Sequence, residues 1–287
     1  MNNDLNIKLV ANGFVIVDLL SKDEVVYLNK LCGQYLQITQ TDFVSSSHIL
    51  NQKDSDFIND ELHKILQHKF ESLFPTLQLL GGTLATKIKG KSNLEAHQDW
   101  TIVDENKFNS YNLWIPLVDT NSENGTLGLI PGSHKWNNNL RGFNIPNDYG
   151  KFTKQFLQIG CEPSINAGQA ILYNHKLVHY SRPNITNENR NVSIVGVKEK
   201  AADLRISFCL DNKEIETYTM SEVEFYKFDA QKIKANKQFI EANKLNSNKL
   251  NWKNILNKYT ENLPEEFQYL ISKRESIFSK LLDKIRF

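Results

Sequence analysis

A mainly β fold with helices on its flanks, built as a sandwich or barrel, is predicted by three features of this 287-residue chain. From residue 77 to about 228 the chain consists of short β-rich runs separated by Gly, Asn, Asp and Pro. Many short strands with turn signals between them form sandwiches or barrels. The residues before and after this region carry helical periodicity instead. Hydrophobic residues make up 40% of the chain, enough at this length to bury a substantial core.

"GFVIVDLL" (13–20) is apolar and β-branched and predicts a strand that runs into "SKDE", where Ser21 and Glu24 have the spacing of a helix capping box. Val25, Leu28, Cys32, Tyr35 and Leu36 then repeat as the buried stripe of a helix. A second helix is expected over about 55–72, ending before Pro75. The strands expected next are in "LQLLGGTLATKIKG" (77–90), "LEAHQD" (94–99), "NLWIPLVD" (112–119), "TLGLIPG" (126–132), "QAILYNH" (169–175), "VSIVGVKE" (192–199) and "RISFCL" (205–210). Asn124-Gly125 suits a tight hairpin turn. The final sixty residues read as helical, with Pro264 at a helix N1 position and Phe267, Leu270, Ile271, Phe278, Leu281, Leu282 and Ile285 on one face. The expected organisation is one domain over 1–228, with 229–287 a helical extension packed on it.

Composition narrows the function classes. A net charge of +1 gives no field that draws the chain to nucleic acid or to an anionic membrane surface. No apolar run approaches the roughly 18 residues of a membrane span, and the N-terminus lacks the pattern of a secretory signal. Cys32, Cys161 and Cys209 are scattered without C-x-x-C pairing, which fits a reducing compartment and suggests no thiolate zinc site. The expectation is a cytoplasmic protein with no nucleic-acid or membrane partner.

"AHQDW" (96–100) carries the chemistry. Along a strand, residues two apart share a face, so His97 and Asp99 can converge on one ion while Gln98 points away. A two-histidine, one-carboxylate facial triad needs a further imidazole from a distant strand. His134, His175 and His179 are the downstream candidates, and His134 lies in the turn-rich "PGSHK". Pattern alone does not separate His175 from His179, but the residues beyond His179 do. Ser181 stands two residues after it and Arg190 eleven after, where the next strand begins. An arginine there can pair bidentately with a carboxylate inside the barrel mouth.

"HQD", "LWIPLVDTNSENGTLGLIPGSHK" and "HYSRPNITNENR", in this order and spacing over roughly residues 10–195, resemble the phytanoyl-CoA dioxygenase-like family of Fe(II)- and 2-oxoglutarate-dependent oxygenases. The resemblance implies a double-stranded β-helix, a jelly-roll or cupin-type barrel with helices outside. It places His97, Asp99 and His179 on the iron ligands and Arg190 on the residue that binds the distal carboxylate of 2-oxoglutarate. Ser181 falls on a hydroxyl that assists Arg190, Trp114 on an aromatic lining the cosubstrate pocket, and Gln98 on the family's common H-Q-D glutamine. "TLATKIKG" is expected to add a cosubstrate contact, and Trp100 to face the substrate or pack at the strand end. Thr126 stands where a proline is common. The implied reaction uses Fe(II), 2-oxoglutarate and O2 to oxidise a C–H bond. Asp99 favours hydroxylation or a related oxidation such as desaturation or demethylation, because related halogenases carry a small residue in place of this carboxylate. The expected substrate is a small metabolite such as an amino acid or natural-product intermediate. An acyl-CoA thioester and a non-catalytic binding barrel are the alternatives.

Overall fold

The computed structural model describes residues 3–36, 43–90, 93–137, 139–211, 213–226, 229–245 and 250–268. Helix α1 (Asn3–Asn12), which the sequence pattern does not announce, precedes strand β1 (Phe14–Asp18) and helix α2 (Lys22–Tyr35). The switch from strand to helix is made by the expected capping box: Glu24 donates its amide to the Ser21 hydroxyl, and the Glu24 carboxylate accepts the Ser21 amide at 2.8 Å. Val25, Leu28, Leu31 and Cys32 are buried on α2, while Tyr35 packs at the edge of the core. Strand β2 (Phe43–Ser45) and the short helix α3 (Ser46–Ile49) lead to α4 (Gln52–Leu73). Helix α4 begins three residues earlier than the periodicity suggests, because the Asn51 side chain caps the Asp54 amide at 3.1 Å.

The β region contains β3 (Leu77–Lys87), β4 (Leu94–His97), β5 (Ser110–Pro116) and β6 (Leu127–Leu129). Helix α5 (Thr153–Ile159) separates these from β7 (Gln169–Asn174), β8 (His179–Ser181) and β9 (Arg190–Glu199). They form a six-stranded antiparallel sheet in the order β1-β7-β5-β9-β3-β2 and a three-stranded antiparallel sheet in the order β4-β8-β6. Side chains alternate across the larger sheet. Val15, Val17, Leu113, Ile115, Leu172, Val195 and Val197 join Leu28 of α2 and Leu62, Leu66 and Phe70 of α4. The intervening residues Phe14, Trp114, Ile171, Tyr173 and Val192 join Leu127 and Leu129 of the smaller sheet in the barrel interior. This is the expected double-stranded β-helix with helices on its outer face.

Strand β4 is shorter than "LEAHQD", and Asp99 lies just beyond it. The partner strand β8 begins only at His179, so the Asp99 amide donates instead to the His175 carbonyl in the preceding turn, at 2.9 Å. At the expected hairpin turn only Gly125 has a positive φ, of 78°. Asn124 acts through its side chain, accepting the Asn121 amide at 2.9 Å and donating to the Asp119 carbonyl at 2.8 Å. A Cβ at Gly125 would lie 2.5 Å from the Arg182 carbonyl oxygen, so glycine is required there on both counts.

Beyond the barrel come β10 (Arg205–Phe208), β11 (Glu214–Thr219), α6 (Glu222–Tyr226), α7 (Ala230–Asn236), β12 (Phe239–Lys244) and α8 (Trp252–Asn262). Strands β10, β11 and β12 make a further antiparallel sheet. Strand β12 corrects the expectation that the last sixty residues are helical throughout: paired with β11, "FIEANK" satisfies its backbone as a strand and sets Phe239 against Tyr218 at 5.5 Å. Helix α8 buries Trp252, Ile255, Leu256 and Tyr259 with Phe156, Val178 and Tyr180, backing the smaller sheet. Pro264 precedes a short 3-10 turn, Glu265–Phe267, and is not at a helix N1 position. Leu270, Ile271, Phe278, Leu281, Leu282 and Ile285 lie outside the described residues. No described helix is long and apolar enough to cross a membrane.

Candidate metal centre

His97 and His179 are directly opposite each other on β4 and β8. Their rings approach to 4.2 Å between centroids. Each imidazole is held at Nδ1 by a carbonyl two residues earlier, Glu95 O at 2.7 Å for His97 and Leu177 O at 2.9 Å for His179. That hydrogen bond fixes the tautomer and leaves Nε2 as the free donor atom. Both Nε2 atoms lie 3.8 Å from Asp99 Oδ1. The ligand atoms of His97, Asp99 and His179 all fall within 4.8 Å of one another. Bonds to a divalent first-row metal such as zinc run about 2.0–2.2 Å, so one ion can be reached by all three.

Asp99 is oriented from several sides. Its Oδ2 accepts from Asn112 Nδ2 at 2.9 Å, leaving Oδ1 toward the histidines. Its carbonyl accepts from Arg141 Nε at 2.6 Å, and the rest of that guanidinium is paired with Glu105 at 2.6 and 2.9 Å. Burial opposes ionisation of Asp99, but the facing imidazoles of His179, His175 and His97, with the Asn112 amide, hold its pKa down at about 2. Burial also lowers the pKa of His179 to about 4, aided by the neighbouring His97. At neutral pH the carboxylate is therefore charged and His179 is neutral, the forms that bind a metal.

Arg190 opens β9 and is buried, 4% exposed. Its Nε has no hydrogen-bond partner, and its guanidinium carbon sits 5.5 Å from the centre of the Trp114 ring. Burial alone depresses its pKa to about 10. Directly across the strand pair lies Lys87, also buried, whose Nζ is 3.0 Å from Ser181 Oγ. Ser181 Oγ in turn donates to the Gly125 carbonyl at 2.9 Å. Two buried cations thus occupy cross-strand positions; Lys87 is also bound to the Ser181 and Arg182 carbonyls, whereas Arg190 keeps an unpartnered Nε.

The structure therefore brings His97, Asp99 and His179 together, and separately groups Arg190, Trp114 and Ser181. Gln98 is turned away: its side-chain amide donates to the Lys176 carbonyl. Trp100 is 38% exposed, edge-on to Phe143 at 6.5 Å. His134 lies elsewhere, its Nε2 3.1 Å from the Val10 carbonyl. His175 is adjacent to the centre, with Nδ1 3.0 Å from Ser110 Oγ. Lys87 is the residue of "TLATKIKG" that reaches the site. Asn112 and Arg141 carry no mark in the sequence, because only strand register and loop closure bring them to Asp99.

The family model for phytanoyl-CoA dioxygenase (PhyH) matches residues 11–192. The phytanoyl-CoA dioxygenase domain-containing protein 1 homolog of Dictyostelium discoideum is 29% identical over 117 residues, 37% of this chain and 40% of that protein. The match thus spans well under half the length of that relative. Among solved structures, EvdO2 from Micromonospora carbonacea var. aurantiaca, complexed with 2-oxoglutarate, superposes with a TM-score of 0.51 at 14% identity over 69% of this chain and 91% of its own. The epimerase SnoN, in complex with Fe3+, alpha ketoglutarate and nogalamycin RO, gives a TM-score of 0.53 at 18% identity over 70% and 84%. HygX from Streptomyces hygroscopicus, with nickel, 2-oxoglutarate and hygromycin B, gives 0.51 at 14% identity over 70% and 88%. These structures share the fold. With the family model covering most of the barrel, the chain belongs to the phytanoyl-CoA dioxygenase (PhyH) family.

Proposed function

We propose that this protein is an Fe(II)- and 2-oxoglutarate-dependent oxygenase that hydroxylates a C–H bond of a small metabolite. The observation that carries the reading is the pairing of two half-sites: a His-Asp-His cluster within 4.8 Å, and the buried Arg190 with an unpartnered Nε. A buried guanidinium without a carboxylate is costly unless an anion completes it.

In this reading His97 and His179 would offer Nε2 and Asp99 Oδ1 to iron, a neutral-plus-anionic donor set that suits Fe(II). Iron(II) with 2-oxoglutarate and O2 supplies an oxidant for unactivated C–H bonds, 2-oxoglutarate leaving as succinate and carbon dioxide. The chain contributes placement. Arg190 neutralises and orients the distal carboxylate of 2-oxoglutarate, Lys87 adds positive charge beside it, Ser181 holds Lys87 by accepting from its Nζ, and Trp114 supports the guanidinium through its ring face. Asn112 and Arg141 hold Asp99 in register. The carboxylate of Asp99 supports hydroxylation over halogenation, since a third protein ligand occupies the place a halide would need. The same fold holds hygromycin B in HygX and nogalamycin RO in SnoN, which favours a metabolite over an acyl-CoA thioester.

Protein reconstituted anaerobically with Fe(II) is expected to convert 2-oxoglutarate to succinate in air, and Asp99→Ala to lose that activity at least about 100-fold. Absence of both 2-oxoglutarate turnover and 2-oxoglutarate binding in the wild type would sink the proposal. Full activity in Arg190→Ala would point to a cupin-like enzyme that needs no cosubstrate.

A further inference from the structure

A pocket of about 200 Å³ opens beside Asp99, below the roughly 300 Å³ at which pockets for drug-sized ligands begin. Its apolar walls are Trp100, Ile102, Ile206, Met220 and Phe225. Three of these, with Glu224, come from residues 206–225, beyond the end of the family match at 192. The barrel region thus supplies Asp99, Asn112 and His175, and β10, Met220 just after β11, and α6 supply the opposite wall.

The polar groups of the lining are few. Among the described residues no lysine or arginine contributes to it, whereas Asp99 and Glu224 both do. Glu224 is held through one oxygen: Oε2 accepts from the Ser221 amide at 2.8 Å, the Ser221 hydroxyl at 2.7 Å and Lys237 Nζ at 3.0 Å. That holds the carboxylate rigidly while Oε1 takes part in none of these bonds. His175, 2% exposed, also lines the pocket; Ser110 holds its Nδ1, and its Nε2 has no hydrogen-bond partner. An orphaned imidazole nitrogen at this depth offers a bond to whatever enters.

We propose that this pocket takes a small aliphatic amine, its ammonium on Glu224 and the His175 edge and its hydrocarbon on Ile206, Met220 and Phe225. An isosteric carboxylate would meet Glu224 with no lysine or arginine in the lining to receive it, so charge sign is the selection rule. The inference names the substrate class of the oxygenase reading and rests on that reading only for the oxidation itself.

Calorimetry on the metal-free full chain with 3-methylbutylamine and 3-methylbutanoate tests the pocket without turnover. The amine is expected to bind at least about tenfold more tightly than the shape-matched acid. Glu224→Gln, which a capping box tolerates, should bring the two to parity without changing 2-oxoglutarate binding. Met220→Trp, which fills the cavity, should abolish binding of the amine. Equal or tighter binding of the acid, no binding of either probe, or an unchanged preference in Glu224→Gln overturns the proposal. The iron-loaded enzyme separates the two readings. Amine binding without any 2-oxoglutarate consumption would mean that the oxygenase reading fails, whereas 2-oxoglutarate consumption without amine preference would mean that the pocket assignment fails.

Discussion

Arg190 shows most directly how a functional residue works against the stability of the fold that holds it. Burial lowers its pKa to about 10, and no carboxylate of the described residues pairs with it. Replacing it with Gln removes an uncompensated buried charge, so Arg190→Gln should keep or raise the Tm in a thermal scan. Titration of 2-oxoglutarate should show the opposite, an affinity loss of at least about 100-fold, since charge-assisted hydrogen bonds are worth about 1.5–3 kcal/mol each and a guanidinium makes two. A large drop in Tm in that variant would show the charge to be structurally satisfied. Asn112 acts one step further out, through its 2.9 Å bond to Asp99 Oδ2. Asn112→Leu is expected to weaken metal binding by roughly 10–100-fold in a competition titration while the protein stays folded, because it frees the carboxylate to rotate. The candidate ligands and the arginine were legible in the chain because His97-x-Asp99 and His179-x-Ser181 with Arg190 keep local spacing. Lys87 was legible only as far as its segment "TLATKIKG", and Asn112 not at all, because each comes from another strand and only register selects the residue.

Legibility at the element scale followed periodicity. The capped helix α2 was readable because one face meets a core, and strands β5, β7 and β9 because both faces do, which gives short, nearly continuous apolar runs. Strand β12, exposed along its whole length, was not, since pairing with β11 and not burial makes it a strand. Helix α1 docks through His134, whose ring N–H donates to the Val10 carbonyl and whose pKa burial lowers to about 4. A depressed folded pKa means that the unfolded chain takes up the proton first as pH falls. The stability is therefore complete above about 6.5 and is lost as pH drops toward 4, an effect of about 3 kcal/mol. Thermal scans between pH 7 and 4.5 should show this slope, and His134→Gln should reduce it, leaving the parallel contribution of His179. Gly196 sets the position of α6: a Cβ there would come 2.3 Å from the end of the Phe225 ring. Gly196→Ala should push Phe225 off β9, altering substrate KM more than kcat and lowering Tm by only a few degrees.

At the scale of the whole molecule, the chain beyond the barrel is integral to it. Tyr259 of α8 is 1% exposed and donates its hydroxyl to the Ile159 carbonyl at 3.0 Å, tying the last described helix to α5. Tyr259→Ala should cost about 3–5 kcal/mol, measurable by denaturant unfolding, as for other large side chains removed from a core. The elements that shape the pocket were opaque in the sequence for a physical reason: Ile206, Met220 and Phe225 are ordinary apolar residues until folding places them around Asp99. The facing of His97 and His179 on β4 and β8 carries a further consequence. These strands have four and three residues, too few for backbone pairing to make the smaller sheet rigid by itself. An ion shared by the two histidines would act as a cross-strand rivet closing an 82-residue span of chain, from 97 to 179. By mass action it would stabilise the native state by about 2.7 kcal/mol at a hundredfold excess over its Kd. Amide hydrogen exchange in β8 should then slow on metal addition and quicken on chelation, so that the metal would act as a fastener of the barrel mouth as well as a reagent.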